Sequence, residues 1–175
     1  MKGKNMDENR INLLQQIFDN VNSWLHFAEA KNAALIAFNV ALLSSLTSSE
    51  LFKINAMLFC TIIIGLLISI MISLWSFKPV NKKLEKASAT NLGENLLHFA
   101  YIASLERDEY IKKLYDYYWK EPNMDINAIS RLERDYCEEI IENARITMRK
   151  QYYFRIGFYI VIVVIVAIGV LAICA

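Results

Sequence analysis

Apolar and small residues near the N-terminus recur at alternating spacings of three and four, which is the pattern of one face of a helix. The seam continues from a polar stretch into an apolar stretch, so it predicts one long helix that enters a membrane. Asn32 and Asn39 share one phase of the seam, and we expect these helix-packing amides to fix the register of the helices. The seam consists of Ile11, Leu14, Phe18, Val21, Leu25, Ala28, Asn32, Leu35, Asn39, Leu42 and Leu46.

Two longer runs carry no charge, residues 54–77 and residues 156–175. About 20 residues at ~1.5 Å each cross a hydrocarbon layer of ~30 Å. Tyr152 and Arg155 precede the last run as interface anchors, and Pro79 follows the other run, where helical hydrogen bonding cannot continue. Both runs are predicted transmembrane helices, because a lone strand in lipid would leave its backbone unpaired.

Residues 33–47 form a shorter apolar segment, for which an interfacial or re-entrant helix is the alternative to a span. The basic residues favour a span: there are four up to Lys31, one in the connector 47–53 and fourteen in 78–155. Two crossings before residue 78 place both basic regions, and with them the N-terminus, in the cytoplasm. The sequence therefore predicts an all-α membrane protein with about three transmembrane helices and a cytoplasmic helical region between the second and third spans.

The predicted order is a cytoplasmic N-terminal helix (1–32), a first transmembrane segment (33–47), a second transmembrane helix (54–77), a cytoplasmic helical region (78–155) and a C-terminal transmembrane helix (156–175). Turn residues around Gly93 and in the run EPNMD divide the cytoplasmic region into several helices. In its last helix, Ile129, Leu132, Tyr136, Ile140 and Ala144 are expected to form the apolar face.

Composition narrows the function. The chain has 175 residues, of which 55% are hydrophobic, and a formal net charge of +1, so no excess of positive charge indicates nucleic acid. Cys60, Cys137 and Cys174 form no C-x-x-C pair, and His26 and His98 lack a carboxylate cluster, so no metal site is expected. The chain has no P-loop, no G-x-S-x-G and no H-E-x-x-H, so we expect no enzyme.

The candidate binding residues are basic and aromatic. Lys31, Arg145, Arg149 and Lys150 are expected near the cytoplasmic membrane surface, where they would hold a phosphate or meet anionic lipid head groups. The aromatic cluster that begins at Tyr110 would stack on a base or form helix core and interface. Both pairs of alternatives remain open at this stage.

Three stretches carry a resemblance to a known family. They are FAEAKNAALIAFNVALLSSL, with Glu29, Lys31 and Asn39, then HFAYIASLERDEYIKKL, and finally RITMRKQYYFRIGFYIVIVVIVAIG. In their order and spacing they resemble the transmembrane effectors of the Pycsar antiphage system. Lys31 is followed here by Asn32, where that family more often has alanine.

The resemblance implies an antiphage effector that senses cyclic CMP or cyclic UMP from a partner cyclase and impairs the bacterial inner membrane. It implies no cofactor, makes 78–155 the sensing region and leaves the nucleotide-binding residues to physical argument: Lys31, Arg145, Arg149, Lys150 and Tyr110. Membrane lipid and further copies of the chain are expected partners, whereas nucleic acid is not. The alternative is a structural or regulatory membrane subunit that binds a partner helix through the heptad seam.

Overall fold

A computed structural model describes residues 2–48, 53, 55–80, 84–87 and 93–173, with side chains from residue 7 onward. The described chain is helical throughout its regular elements. The α-helices are α1 (Lys2–Thr47), α2 (Ala56–Trp75), α3 (Phe99–Ile102), α4 (Arg107–Leu114) and α5 (Arg131–Ile173). A π-helix (Tyr115–Trp119) follows α4, and a 3₁₀ helix (Ile126–Ala128) precedes α5.

The chain divides into two compact units, each built from separate stretches of sequence. The head unit consists of Met1–His26 and Val80–Met148, and the membrane unit consists of Phe27–Pro79 and Arg149–Ala175. Helices α1 and α5 each contribute residues to both units.

The head unit has an apolar core that α1, α3, α4, the π-helix and α5 share. Fully or almost fully buried side chains include Leu14, Tyr110, Ile111, Leu114 and Ile140. We expected Leu132 on the apolar face of α5, and this is wrong, because Leu132 is 53% exposed while Cys137 and Ile141 are buried beside Ile140.

Local hydrogen bonds define where the head helices begin. At the start of α5 the Glu133 N–H donates to the Ser130 hydroxyl over 3.3 Å, and the Ser130 N–H donates to the Glu133 carboxylate over 3.1 Å. This reciprocal pair is a capping box. The side chain of Asp125 accepts from the Asn127 N–H at the 3₁₀ helix, and His98 accepts from the Ala100 N–H at α3.

The membrane unit contains parts of α1 and α5 together with α2, whose first turn is capped by the Asn55 side chain over 3.0 Å. Its helices bury one face each and leave large apolar side chains exposed on the other, among them Ile64, Leu67, Met71, Val163 and Val166. Exposed apolar faces of this extent are typical of lipid contact. Three helices, α1, α2 and α5, are long and apolar enough to cross a membrane.

The predicted fold class is confirmed: the described chain is all-helical, with three such helices and a short helical region between the second and third. The heptad seam holds, since every seam position of α1 is buried or half-buried. Helix α2 begins at Ala56 and ends at Trp75, inside the predicted 54–77. Ile54, most of the connector 47–53, Cys174 and Ala175 lie outside the described residues, and the predicted segment boundaries stay predictions.

Candidate functional site

Arg145 is a buried charged residue of the head unit that makes several hydrogen bonds. It is 8% exposed, and its guanidinium donates to the backbone carbonyls of Leu84 over 2.9 Å, Leu105 over 3.0 Å and Ala103 over 3.4 Å. These three acceptors lie outside α5, in the segments around residues 84 and 103–105. Arg145 therefore joins these segments to α5. Charged hydrogen bonds of this kind are among the stronger ones in proteins.

A cavity of about 370 Å³ lies beside Arg145, within the size range of small-molecule sites. Two arginines and four carboxylates face it; the lining residues are Glu106, Arg107, Asp108, Glu138, Ile141, Glu142 and Arg145. Several of the ion pairs are long: Arg145 to Glu142 is 3.4 Å, Arg145 to Glu106 is 3.7 Å, and Arg107 to Glu138 is 3.4 Å. These distances are longer than the ~2.8 Å typical of a charge-assisted hydrogen bond.

Arg107 is the more accessible arginine of the two. Its Nε donates to Asp108 over 3.0 Å, and its side chain is 42% exposed. The hydrogen bond with Asp108 raises the pKa of Arg107, so this cation persists at any physiological pH. Sequence reasoning missed Arg107, although it stands in the same quoted stretch as Tyr110, because a surface arginine beside an aspartate is a common pattern without function.

Tyr110 lies in the core of the head unit. Its side chain has no exposed surface, and its hydroxyl donates to the Leu96 carbonyl over 3.1 Å. Burial raises the pKa of Tyr110 well above its usual value, so the phenol stays neutral. Stacking of this ring on a base stays a prediction, and it requires the core to open.

A second cavity of about 380 Å³ lies where α1 meets the π-helix and the start of α5. The Arg10 guanidinium lies 5.0 Å from the ring centroid of Tyr115 and 5.6 Å from that of Trp119, and it pairs with Glu121. The Tyr115 hydroxyl donates to Glu133 over 3.2 Å. Burial, followed by the nearby charge of Glu133, raises the pKa of Tyr115 to about 12.

The three predicted binding residues of the membrane unit, Lys31, Arg149 and Lys150, each have a partner. Lys31 lies over the rings of Phe27 and Phe154, at 4.7 and 4.9 Å, and donates to Gln151 over 3.1 Å. Lys150 pairs with Glu29 over 3.2 Å and donates to the Ser76 carbonyl over 3.2 Å. Arg149 lies over the Tyr153 ring at 5.7 Å.

Arg149 differs from Lys150 in its surroundings. It is half-buried, and among the described residues it has no carboxylate within ion-pair distance. The predicted set is thus divided between the two units, with Arg145 and Tyr110 in the head unit and Lys31, Arg149 and Lys150 in the membrane unit.

The two predicted packing amides lie between helices of the membrane unit, and neither has exposed surface. The Asn32 amide donates to the Lys150 carbonyl over 3.2 Å and to the Ala28 carbonyl over 2.9 Å. The Asn39 amide donates to the Ser69 hydroxyl over 2.8 Å, and Ser69 donates to the Gly157 carbonyl over 3.0 Å. Asn39 therefore joins all three helices of this unit through one serine.

Sequence reasoning missed three buried serines of this unit, of which Ser69 bonds to Asn39. Ser69, Ser73 and Ser76 are buried on one face of α2 and its C-cap. Their spacing of four and three continues the buried positions Ile62 and Leu66, and that spacing is the signal from which they were predictable.

Comparison with known proteins covers both units. Residues 13–175 match the family model PycTM, the Pycsar effector protein domain. The chain belongs to the Pycsar effector family. No curated protein and no solved structure matches it.

Membership in the Pycsar effector family implies an antiphage effector, and the three candidate spans indicate a multi-pass membrane protein. Pycsar effectors with this domain are membrane effectors that are generally not enzymes. Among the described residues, no group of three or more His, Cys, Asp or Glu side chains is arranged to hold a metal ion.

Proposed function

We propose that this protein senses a cyclic pyrimidine nucleotide, cyclic CMP or cyclic UMP, with its head unit, and impairs the bacterial inner membrane with its membrane unit. The head unit and the N-terminus are assigned to the cytoplasm, where a partner cyclase releases its product. The orientation rests on the fourteen basic residues of 78–155 against one in the connector 47–53.

The cavity beside Arg107 and Arg145 is the observation that carries the sensing proposal. Two guanidinium groups face one space of nucleotide size, and their carboxylate partners lie at 3.4–3.7 Å for three of the pairs. A cyclic phosphate between the arginines would gain shorter, charge-assisted hydrogen bonds. The displaced carboxylates would then accept from the ribose hydroxyl and from donors on the edge of the base, as Glu and Asp do for the cytosine amino group.

The other predicted nucleotide-binding residues are expected to contribute in different ways. Arg149 is a partly accessible cation without a described carboxylate partner, so it fits either a phosphate or a lipid head group. Lys31 and Lys150 already hold polar and aromatic partners within the membrane unit, which favours a positioning role. Tyr110 would reach a base only after its core contacts open.

A binding experiment with the detergent-solubilised full chain tests the site. Calorimetry with cyclic CMP and cyclic UMP, and with cyclic AMP as a control, gives the affinity of the native protein. We expect Arg107→Gln to weaken binding at least tenfold, the worth of one charged hydrogen bond of roughly 1.5–3 kcal/mol. Arg131→Gln is the matched control, because Arg131 is 94% exposed and pairs only with Asp135 among the described residues. Equal losses of binding affinity in both variants would show that the nucleotide does not bind at Arg107.

Membrane depolarisation in bacteria tests the whole function. The protein is expressed with an inducible cyclase that supplies cyclic CMP or cyclic UMP, and a membrane-potential dye reports the response. We expect depolarisation only when both components are present. If inserted protein gives no response with either nucleotide, the proposed function is wrong.

The alternative function is a subunit that binds a partner helix through its heptad seam. It requires an accessible seam, and the seam residues are buried. Leu14 and Val21 are buried within the head unit, and Asn32, Leu35 and Asn39 are buried within the membrane unit. The seam is occupied by the protein's own helices in this conformation, so a partner helix would have to displace them.

A further inference from the structure

An apolar groove lies on the outer surface of the membrane unit, along α2. It has a volume of about 470 Å³. Its floor and walls are mostly aliphatic side chains of α2, each of which is at least 45% exposed: Ile64, Leu67, Ile68 and Met71. Two aromatic rings complete the lining, Trp75 from α2 and Tyr153 from α5. We call this feature the lipid groove, because a surface of this kind within a bilayer contacts acyl chains.

The lipid groove has the length of one leaflet of a bilayer. Eleven residues separate Ile64 from Trp75, which is about 16 Å of helix. Half of a hydrocarbon core of ~30 Å is ~15 Å. The groove therefore extends from the membrane surface to about the middle of the bilayer.

The aromatic end of the lipid groove lies at the level of the membrane surface. Trp75 is the last residue of α2. Helix α5 is antiparallel to α2 here, since Lys150 donates to the Ser76 carbonyl and Ser69 donates to the Gly157 carbonyl. Tyr153 lies between these two contacts, so both rings belong to the same end, where tryptophan and tyrosine are typical of a membrane interface.

Two cations lie on these two rings. Lys78 Nζ is 4.8 Å from the ring centroid of Trp75, and the Arg149 guanidinium is 5.7 Å from that of Tyr153. No aspartate or glutamate occurs within six positions of either cation in the sequence. Among the described residues, neither has a carboxylate within ion-pair distance. The interfacial end of the groove thus carries two positive charges that are not neutralised by the described chain.

Other parts of the membrane unit lack this combination. Lys150 is paired with Glu29 over 3.2 Å. A second apolar groove, which contains Gly65 and Tyr159, has no basic side chain among its lining residues. A third groove includes Lys31, but that ammonium already donates to Gln151 over 3.1 Å.

We propose that the lipid groove binds one anionic phospholipid, with its phosphate between Lys78 and Arg149 and one acyl chain along α2. Lipid tails are as apolar as the groove, so acyl contacts alone give little preference for any lipid. Charge-assisted hydrogen bonds from the two cations to the phosphate supply the preference for an anionic head group. This site assigns Arg149 to a lipid, and it does not rest on the proposed nucleotide sensing.

Trp75 reports directly on the lipid in this groove. Trp24→Phe/Trp119→Phe leaves it as the sole tryptophan of three, and both substitutions lie in the head unit. The full chain is reconstituted in phosphatidylcholine vesicles that contain brominated phosphatidylglycerol or, at equal mole fraction, brominated phosphatidylcholine. Bromine near the glycerol end of the acyl chains quenches the fluorescence of a ring that it contacts. The two quenching curves give the relative affinity for the anionic lipid.

We expect phosphatidylglycerol to be preferred at least threefold, because one basic residue near an anionic head group is worth roughly fivefold in affinity. Lys78→Gln and Arg149→Gln should each reduce this preference at least twofold. Arg155→Gln is the matched control, since Arg155 is an exposed cation of α5 that does not line the groove. It should leave the preference within 1.5-fold of the unsubstituted value, about a quarter of a kcal/mol or less.

Three results would overturn the proposal. A preference below threefold would show ordinary contact with bulk lipid. No quenching by either lipid, in protein that is inserted, would show that protein such as a second copy of the chain covers the groove. Equal losses in Arg155→Gln and Arg149→Gln would show an effect of overall surface charge.

A second measurement avoids the tryptophan substitutions in case that variant does not fold. Mass spectrometry identifies the phospholipids that the detergent-purified full chain retains from bacterial membranes. We expect phosphatidylglycerol to be enriched at least threefold over the membrane extract, and Lys78→Gln/Arg149→Gln to lose this enrichment. Equal enrichment in the two proteins would overturn the site. Neither experiment uses a nucleotide, so failure of the lipid site is distinguishable from failure of the proposed function.

Discussion

The head unit and the membrane unit differ in how their buried oxygen atoms are bonded. In the head unit, the buried guanidinium of Arg145 reaches three carbonyls, and the buried carboxylate of Glu133 accepts from Tyr115 and Ser130. In the membrane unit, four buried oxygen atoms have no partner, whereas the described buried atoms of the head unit without a partner are two guanidinium nitrogens, Arg10 Nε and Arg134 Nε. Among the described side chains, buried oxygen atoms without a donor are therefore confined to the membrane unit.

Removing the charge at Arg145 should produce the largest effect, because its buried guanidinium donates to three backbone carbonyls of the head unit. Arg145→Met keeps most of the volume and leaves the carbonyls of Leu84, Ala103 and Leu105 without this donor. We expect the free energy of unfolding of the head unit to fall by about 3 kcal/mol or more. Limited proteolysis and thermal unfolding measure it.

Arg131→Met is the control for this prediction, since Arg131 is exposed on the same helix. It should change stability by no more than about 0.5 kcal/mol. Similar losses in the two variants would show that Arg145 is not a structural anchor.

A methyl group at Gly65 tests the packing of the membrane unit. Its Cβ would lie 2.8 Å from Val164 Cγ2, so α2 and α5 must move apart at this contact. We expect Gly65→Ala to cost about 1–3 kcal/mol and to raise basal dye leakage in cells without nucleotide.

Gly169→Ala is the matched substitution on α5, where a Cβ meets no atom within 4 Å. It should leave leakage unchanged and improve stability slightly, because alanine favours a helix over glycine by up to about 1 kcal/mol. Leakage that rises equally in both glycine variants would contradict the close packing at Gly65.

The smallest effect concerns alkaline pH and the head unit alone. The pKa of Tyr115 is raised to about 12 by burial and by Glu133, whereas an exposed tyrosine has a pKa of about 10. The folded state therefore holds this proton more tightly, so the stabilisation is fully present below pH 10 and is lost as the pH rises towards 12. Tyr115→Phe should flatten the decline in thermal stability between pH 10 and 12, and an unchanged pH profile would count against the raised pKa.

The part of the fold that follows from periodicity was predictable. The seam positions of α1 from Ile11 to Leu46 are buried or half-buried, because each continues one stripe with the period of a helix. The amides Asn32 and Asn39 were recognisable for the same reason. The same periodicity applies to the buried serines of α2. Serines within an apolar run are compatible with lipid exposure as well as burial, so their role was not predicted.

The part that depends on tertiary contacts was not predictable. Leu132 was expected inside, yet α5 instead buries Glu133, whose carboxylate is held by the capping box and by Tyr115. Arg134 donates to the Ile126 carbonyl over 2.6 Å, and Glu138 pairs with Arg107. Glu133 and Glu138 bond to residues that are distant in sequence. A local sequence pattern does not predict such partners.

The hydrogen bonds of Ser69 have a mechanical consequence for the membrane unit. The Ser69 hydroxyl accepts from the Asn39 amide on α1 and donates to the Gly157 carbonyl on α5. Moving α2 along its axis by one turn, about 5 Å, would break both hydrogen bonds at once. A sliding movement of α2 would therefore release α1 and α5 together, so this serine couples the movements of the three helices.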